Sequence, residues 1–330
     1  SVRAPGFSII TQTGFGLSQL PSAPAPATFR GIVKKNGTEY SGTAAVSWHD
    51  GALRGVMKLA GGTLLGIQPL RDVQPGADPS QVVVYRSAEL LPSLSVCATA
   101  GLADPANVFP GIINNIAGAG TVLKEAEIAL EVDFDAFQLY GGTTEAAMNE
   151  VESLVNQASA IYEEQLFVKY AITTIIIRSV EPDPYSATTY DGILSEFKSH
   201  WNSSQTTVKR DLAFMFTGKG LGGVVGYAGV SVVCNIPNAY GFSRAKFSTN
   251  AAKVLSTLCH ELGHMFGAKH CDTAAFCGIM CSILTGCSND LTHFGDTSTA
   301  EINAFKAGLN CLAVVPAPLA LPFAEPWAET

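Results

Sequence analysis

The chain has 330 residues, of which 47% are hydrophobic and 15% charged, with a formal net charge of −8. Such a composition supports a sizeable core and about two domains, which excludes a globally disordered polypeptide. Acids and bases are scattered, so no basic stripe invites nucleic acid, and no apolar run reaches the roughly 18 residues of a membrane-spanning helix.

The chain begins "SVRAPGF", without an initiator Met or a signal-like run, so a targeting segment is expected to have been removed or the sequence trimmed. "PSAPAPA" at 21–27 reads as an extended Pro/Ala arm. Short β-type runs follow, with turns at Lys35-Asn36-Gly37, His49-Asp50-Gly51 and Gly61-Gly62. They predict an antiparallel sheet within a β-rich unit covering residues 1–122, and the low-charge stretch 101–121 is the natural boundary.

From there the pattern changes. "EIALEVDFDAF" (127–137) reads as a strand and 143–166 as a long amphipathic helix capped by Thr143 or Thr144. "KYAITTIIIRSV" is a β-branched strand, "YDGILSEFKSHWNSS" a second helix, and "DLAFMFTG" and "VVGYAGVSVVCN" further strands. A third helix spans 250–267, starting from Ser248 or Asn250, and a short last one spans 298–308. Strands alternating with helices predict a mixed, mainly parallel α/β layer over 123–312, followed by a Pro-rich tail, 313–330.

Six of the eight cysteines fall in the last quarter, and no pair has C-x-x-C spacing. Disulfides in an oxidising compartment, and hence secretion, are expected over a thiolate metal cluster. The sequons at Asn36 and Asn202 agree with an extracellular glycoprotein.

The stretch "CHELGHMFGAKHCD" (259–272) holds half of the six histidines. On a helix His260 and His264 lie one turn apart on one face, so their imidazoles converge. Gly267 permits the left-handed turn that ends the helix, and His270 returns from the following chain as a third ligand. Three nitrogens leave a fourth position open, the pattern of one catalytic Zn²⁺. A buried helix with satisfied histidines is the bland alternative; five fixed positions make coincidence improbable, on the order of 10⁻⁴ for a random chain of this length. Zinc would polarise a carbonyl and lower the pKa of water to about 7. Glu261 is then the expected general base, and peptide-bond hydrolysis the expected reaction.

"HELGHMFGAKH" resembles the extended zinc motif of the metzincin metalloendopeptidases, and "CGIMCS" (277–282) resembles their Met-turn. The resemblance implies a metzincin fold in which Met280 forms a floor beneath the metal. "DLAFMFTGKGLGGVVGYAGVSVVC" (211–234) is similar to the adamalysin/reprolysin pattern. By that likeness Gly226, Tyr227, Ala228 and Gly229 lie on the edge strand that pairs with an extended protein or peptide substrate. "GCSND" and "LNCL" resemble the same subfamily and imply a Cys234–Cys311 disulfide. One departure is that Cys271 stands directly after the third His, where adamalysins carry Asp, and Asp272 is shifted by one.

The run from Phe29 through "GIQPL" and "VVVYR" is similar in pattern to the pro-domain of ADAM-like proteases. It implies that 1–122 is an intramolecular inhibitor and Cys97 a candidate cysteine switch, its thiolate taking the open metal position. The alternatives are that Cys97 pairs with another cysteine or is a buried thiol. The resulting expectation is a secreted zinc endopeptidase as a latent proenzyme; the other reading is a catalytically silent binding or adhesion module on the same scaffold.

Overall fold

The computed structural model describes residues 2–14, 16–35, 39–60, 62–86, 89, 95–98, 122–288 and 290–315. The first strand, β1 (Arg3–Thr13), pairs in parallel with a strand far along the chain, and β2 (Gly16–Gln19) folds back antiparallel on it. Only then does the antiparallel unit begin, with β3 (Thr28–Lys35), β4 (Glu39–His49), β5 (Ala52–Leu59), β6 (Leu64–Pro69) and β7 (Val82–Arg86) paired in sequence order. The sheets therefore do not divide at residue 122: residues 3–19 belong to the larger sheet. Parallel pairing with a distant strand leaves no local turn signal in the sequence, unlike the hairpins that follow.

A two-residue strand, β8 (Val96–Cys97), precedes β9 (Lys124–Val132). The strand expected over 127–137 ends at Val132, because Asp133 accepts a hydrogen bond from Ala136 N and caps α1 (Phe134–Leu139). Thr143 caps α2 (Thr144–Leu166), which leads to β10 (Val168–Ile177). Then come α3 (Tyr190–Ser204), β11 (Leu212–Thr217), β12 (Val224–Ala228), β13 (Tyr240–Arg244), α4 (Ala251–Met265), α5 (Asp296–Ala307) and β14 (Ala313–Val314).

The larger sheet runs β2-β1-β10-β9-β11-β13-β12-β8, with β14 added antiparallel to the start of β9. The central strands are parallel, and their near-continuous apolar runs are covered on both faces. Helices α2 and α4 pack on one face; Ile193, Phe197 and Trp201 of α3 pack on the other, against Ala129, Ala213, Met215 and Phe242. Helix α2 is covered twice, by the larger sheet and by β3–β5 of the five-stranded sheet. That is why its buried residues include Glu152, Ser153, Asn156 and Gln157 as well as apolar ones.

Candidate metal centre

Asn250 starts α4 by accepting from Lys253 N at 3.2 Å, so the helix begins where one of the two expected caps lies. Its last two turns carry His260, Glu261 and His264, all buried. The helix stops at Gly267, whose φ of +96° only glycine adopts without strain, and Gly267 N donates to His264 O at 2.8 Å. A Cβ there would also crowd Ser231 Oγ at 3.0 Å. The reversal brings His270 back over the helix.

The three Nε2 atoms converge. His260 and His264 are 2.9 Å apart, and each is 3.2 Å from His270. His260 Nδ1 donates to Ile279 O and His264 Nδ1 to Ala268 O, both at 2.7 Å. Those carbonyls accept only, so both rings carry their proton on Nδ1 and point a bare lone pair inward. Burial lowers the pKa of all three rings, that of His260 to about 3, with the neighbouring imidazoles adding to it for His260 and His264. The neutral imidazoles of His260 and His264, whose lone pairs face each other at 2.9 Å with His270 Nε2 3.2 Å from both, call for a cation. Zinc bonded at about 2.0–2.1 Å in tetrahedral geometry would space its nitrogens by roughly 3.3 Å, so the donor set fits that ion. The carbonyl partners fix ring orientation, the usual second layer of a metal site.

Glu261 is fully buried beside this cluster and pressed against β12. A Cβ built on Gly226 would lie 2.3 Å from Glu261 Oε1, so this residue is glycine because a carboxylate occupies its side-chain space. The sequence offered Gly226 only as an edge-strand position. Tyr227 turns to the opposite face, stacking edge-on with Tyr190 at 5.1 Å, and Ala228 is buried. Gly229 N donates to Tyr240 O, closing the strand against β13.

Met280 is fully buried and lies against Gly263 of α4. Its loop is braced by disulfides Cys271–Cys277 and Cys281–Cys287. Asp272 Oδ1 accepts from Ser282 N at 2.8 Å, tying the His270 turn to the Met280 turn. This contact had no signal in the sequence, since it depends on how two irregular loops meet. Cys234 and Cys311 are paired, and Cys259 is a buried thiol outside any disulfide. Asn36 lies outside the described residues. Asn202 is on α3, where its amide donates to Pro237 O and its carbonyl accepts from Tyr240 OH, so the amide nitrogen of that sequon is engaged.

Cys97 also reaches the cluster. Its Sγ is 3.5 Å from His264 Nε2, and it forms with His260, His264 and His270 a set of donor atoms all within 4.8 Å of one another. It arrives on β8, which lies parallel to β12. Val96 N and Ala98 N donate to Gly223 O and Gly226 O on one side, while Cys97 N donates to Ser282 O and Ser95 O accepts from Leu284 N on the other. A four-residue stretch of the chain thus bridges β12 and the loop at 282–284, the two walls of a groove beside the imidazoles.

Residues 148–271 match the family model described as metallo-peptidase family M12B, reprolysin-like. A protein of Mus musculus, disintegrin and metalloproteinase domain-containing protein 19, is 27% identical over 162 residues, which is 47% of this chain and 17% of that protein. The chain thus spans well under two thirds of that relative's length. The crystal structure of metalloproteinase-II from Bacteroides fragilis shares the fold, with a TM-score of 0.50 at 15% identity over 90% of each chain.

Proposed function

We propose that this chain, a metzincin of the adamalysin/reprolysin type, is a zinc-dependent endopeptidase held latent by its own residues 95–98. The observation that carries the reading is the convergence of three Nε2 atoms, those of His260 and His264 bare, beside the buried Glu261 carboxylate. His260, His264 and His270 would hold one zinc ion, and Met280 would lie beneath it. Bound there, zinc supplies Lewis acidity toward the scissile carbonyl and acidifies water. Glu261 accepts the proton of the attacking water and passes it to the departing amine nitrogen. The main chain of β12 offers an extended peptide a strand to pair with.

Cys97 Sγ lies close enough to the three imidazoles to take the fourth metal position, and zinc favours a thiolate over a thiol. The amino-terminal half is accordingly read as inhibitory. The disulfides of the described chain favour an oxidising, extracellular setting.

The direct test is zinc content together with hydrolysis of casein or gelatin by the chain after removal of the Cys97 segment. About one zinc per chain is expected, with cleavage abolished by a chelator and restored by zinc. A chain that loads zinc yet cleaves nothing in that state would instead be the silent binding module. A second expectation concerns the strand. Gly226→Ala should push the Glu261 carboxylate from its place and lower kcat by about 10²-fold, because displacements near 1 Å cost that much. Zinc content should not change, and a variant with unaltered kcat would break the link between Gly226 and the base.

A further inference from the structure

Among the described residues, the amino-terminal half is joined to the rest of the molecule at three places away from the cleft. The first is β1, which is a strand of the larger sheet in register from Ser8–Thr174 to Thr11–Ile177. Val2 and Ile9, 4% and 1% exposed, share one apolar core with Leu130 and Tyr170. Arg3 donates to both carboxylate oxygens of Glu152 at 2.5 and 3.1 Å, and that carboxylate is fully buried. Taking β1 away would leave a buried charge without its cation, which is strongly destabilising.

The second is the outward face of α2. Arg30 Nε donates to Asn156 Oδ1 at 2.8 Å, and the Asn156 amide donates to Phe29 O and Val46 O at 3.3 Å. The hydroxyls of Ser47 and Ser153 meet at 2.6 Å. The third is the start of α4. First-turn amides of a helix have no partner within it. Here Gln68 Oε1 accepts from Ala251 N at 2.9 Å, and Tyr85 OH accepts from Ala252 N at 3.1 Å. Tyr85 OH donates to Gln68 Oε1, and Gln68 Nε2 donates to Thr249 O at 2.8 Å. The helix bearing His260, Glu261 and His264 is therefore capped by two side chains of the five-stranded sheet. Withdrawing them would leave these first-turn donors without their partners.

By contrast, residues 95–98 are held by a strand of only two residues, β8, paired with β12, and by bonds of 2.9 and 3.1 Å to Leu284 and Ser282. We propose that the amino-terminal half is a permanent second chain of the active enzyme. A cut between residues 98 and 122 lets the segment around Cys97 leave the groove, while β1, β2 and the five-stranded sheet stay bound to residues 122–315. The latent-peptidase reading enters only in what leaves the groove; persistence of the complex stands on the three contacts.

The test is to insert a recognition sequence for a specific protease between residues 98 and 122 and cut the purified full chain. The two fragments are expected to co-elute on size exclusion at about 1 μM, the signature of a dissociation constant below that value. In the cut complex, amides of 3–13 should remain as slow to exchange with deuterium as those of 168–177. Fragments that separate at that concentration overturn the proposal. So does co-elution in which 3–13 exchanges like unpaired chain, because the halves would then adhere without β1 in the sheet. Neither readout needs an activity assay, so a chain that proves not to be a peptidase leaves both interpretable.

Discussion

Replacing Glu261 by glutamine is expected to lower kcat/KM by about 10²–10⁴-fold, the range of a lost general base, while zinc stays bound at about one ion per chain. Glutamine keeps the shape of the side chain and removes its capacity to take a proton, so the fully buried pocket against Gly226 is refilled without a cavity. The metal cradle does not depend on this residue: His260 and His264 are oriented by the carbonyls of Ile279 and Ala268. Loss of turnover with metal retained is therefore the specific signature of the proposed role, and loss of both would point to a collapsed site. Full activity in the variant would remove Glu261 from the mechanism. The measurement pairs steady-state kinetics with elemental analysis of the same preparation.

The second large effect is expected from Cys97→Ser in the uncut chain. A site occupied by its own plug 99 times in 100 shows only a hundredth of its activity, so weakening the plug raises turnover by up to about 100-fold. A hydroxyl remains protonated near neutral pH and is a much weaker zinc ligand than a thiolate. The main-chain bonds of Val96, Cys97, Ala98 and Leu284 are untouched by this substitution, so the gain is expected to fall short of that ceiling. X-ray absorption at the zinc edge supplies the independent check: sulfur in the shell of the parent chain, and none in the variant. Equal activity of parent and variant, with no sulfur signal in either, would return Cys97 to a structural role.

The convergence of the three histidines was legible because it is local in sequence. His260 and His264 are one helical turn apart, and Gly267 encodes the reversal that brings His270 back, so the convergence follows from helix geometry. What could not be read depends on which distant segments meet. The Asp272–Ser282 contact joins two irregular loops, and the need for glycine at 226 comes from a carboxylate on another element. The same holds for β1. "RAPGFSIITQT" carries Pro5 and Gly6 and no clean alternation, and its partner strand lies far onward, Ser8 pairing with Thr174, so nothing near it in sequence separates it from the hairpins that follow. The antiparallel order of β3–β6 was legible for the opposite reason: each pairs with its neighbour across a turn marked in the sequence, whereas β6 and β7 are joined through the longer stretch 70–81.

Six of the eight cysteines are held in disulfides, which leaves two thiols of very different character. Cys259 is fully buried, and burial pushes its pKa far up, so it is chemically inert while the protein is folded. Cys97 lies partly open to solvent at the edge of the imidazole cluster. An alkylating reagent added to native protein therefore reads one residue alone. Counting adducts by mass gives the fraction of molecules in which that sulfur is accessible, and denaturation supplies the second thiol as an internal standard. On the proposed reading of Cys97, that count gauges how far the chain has been switched on.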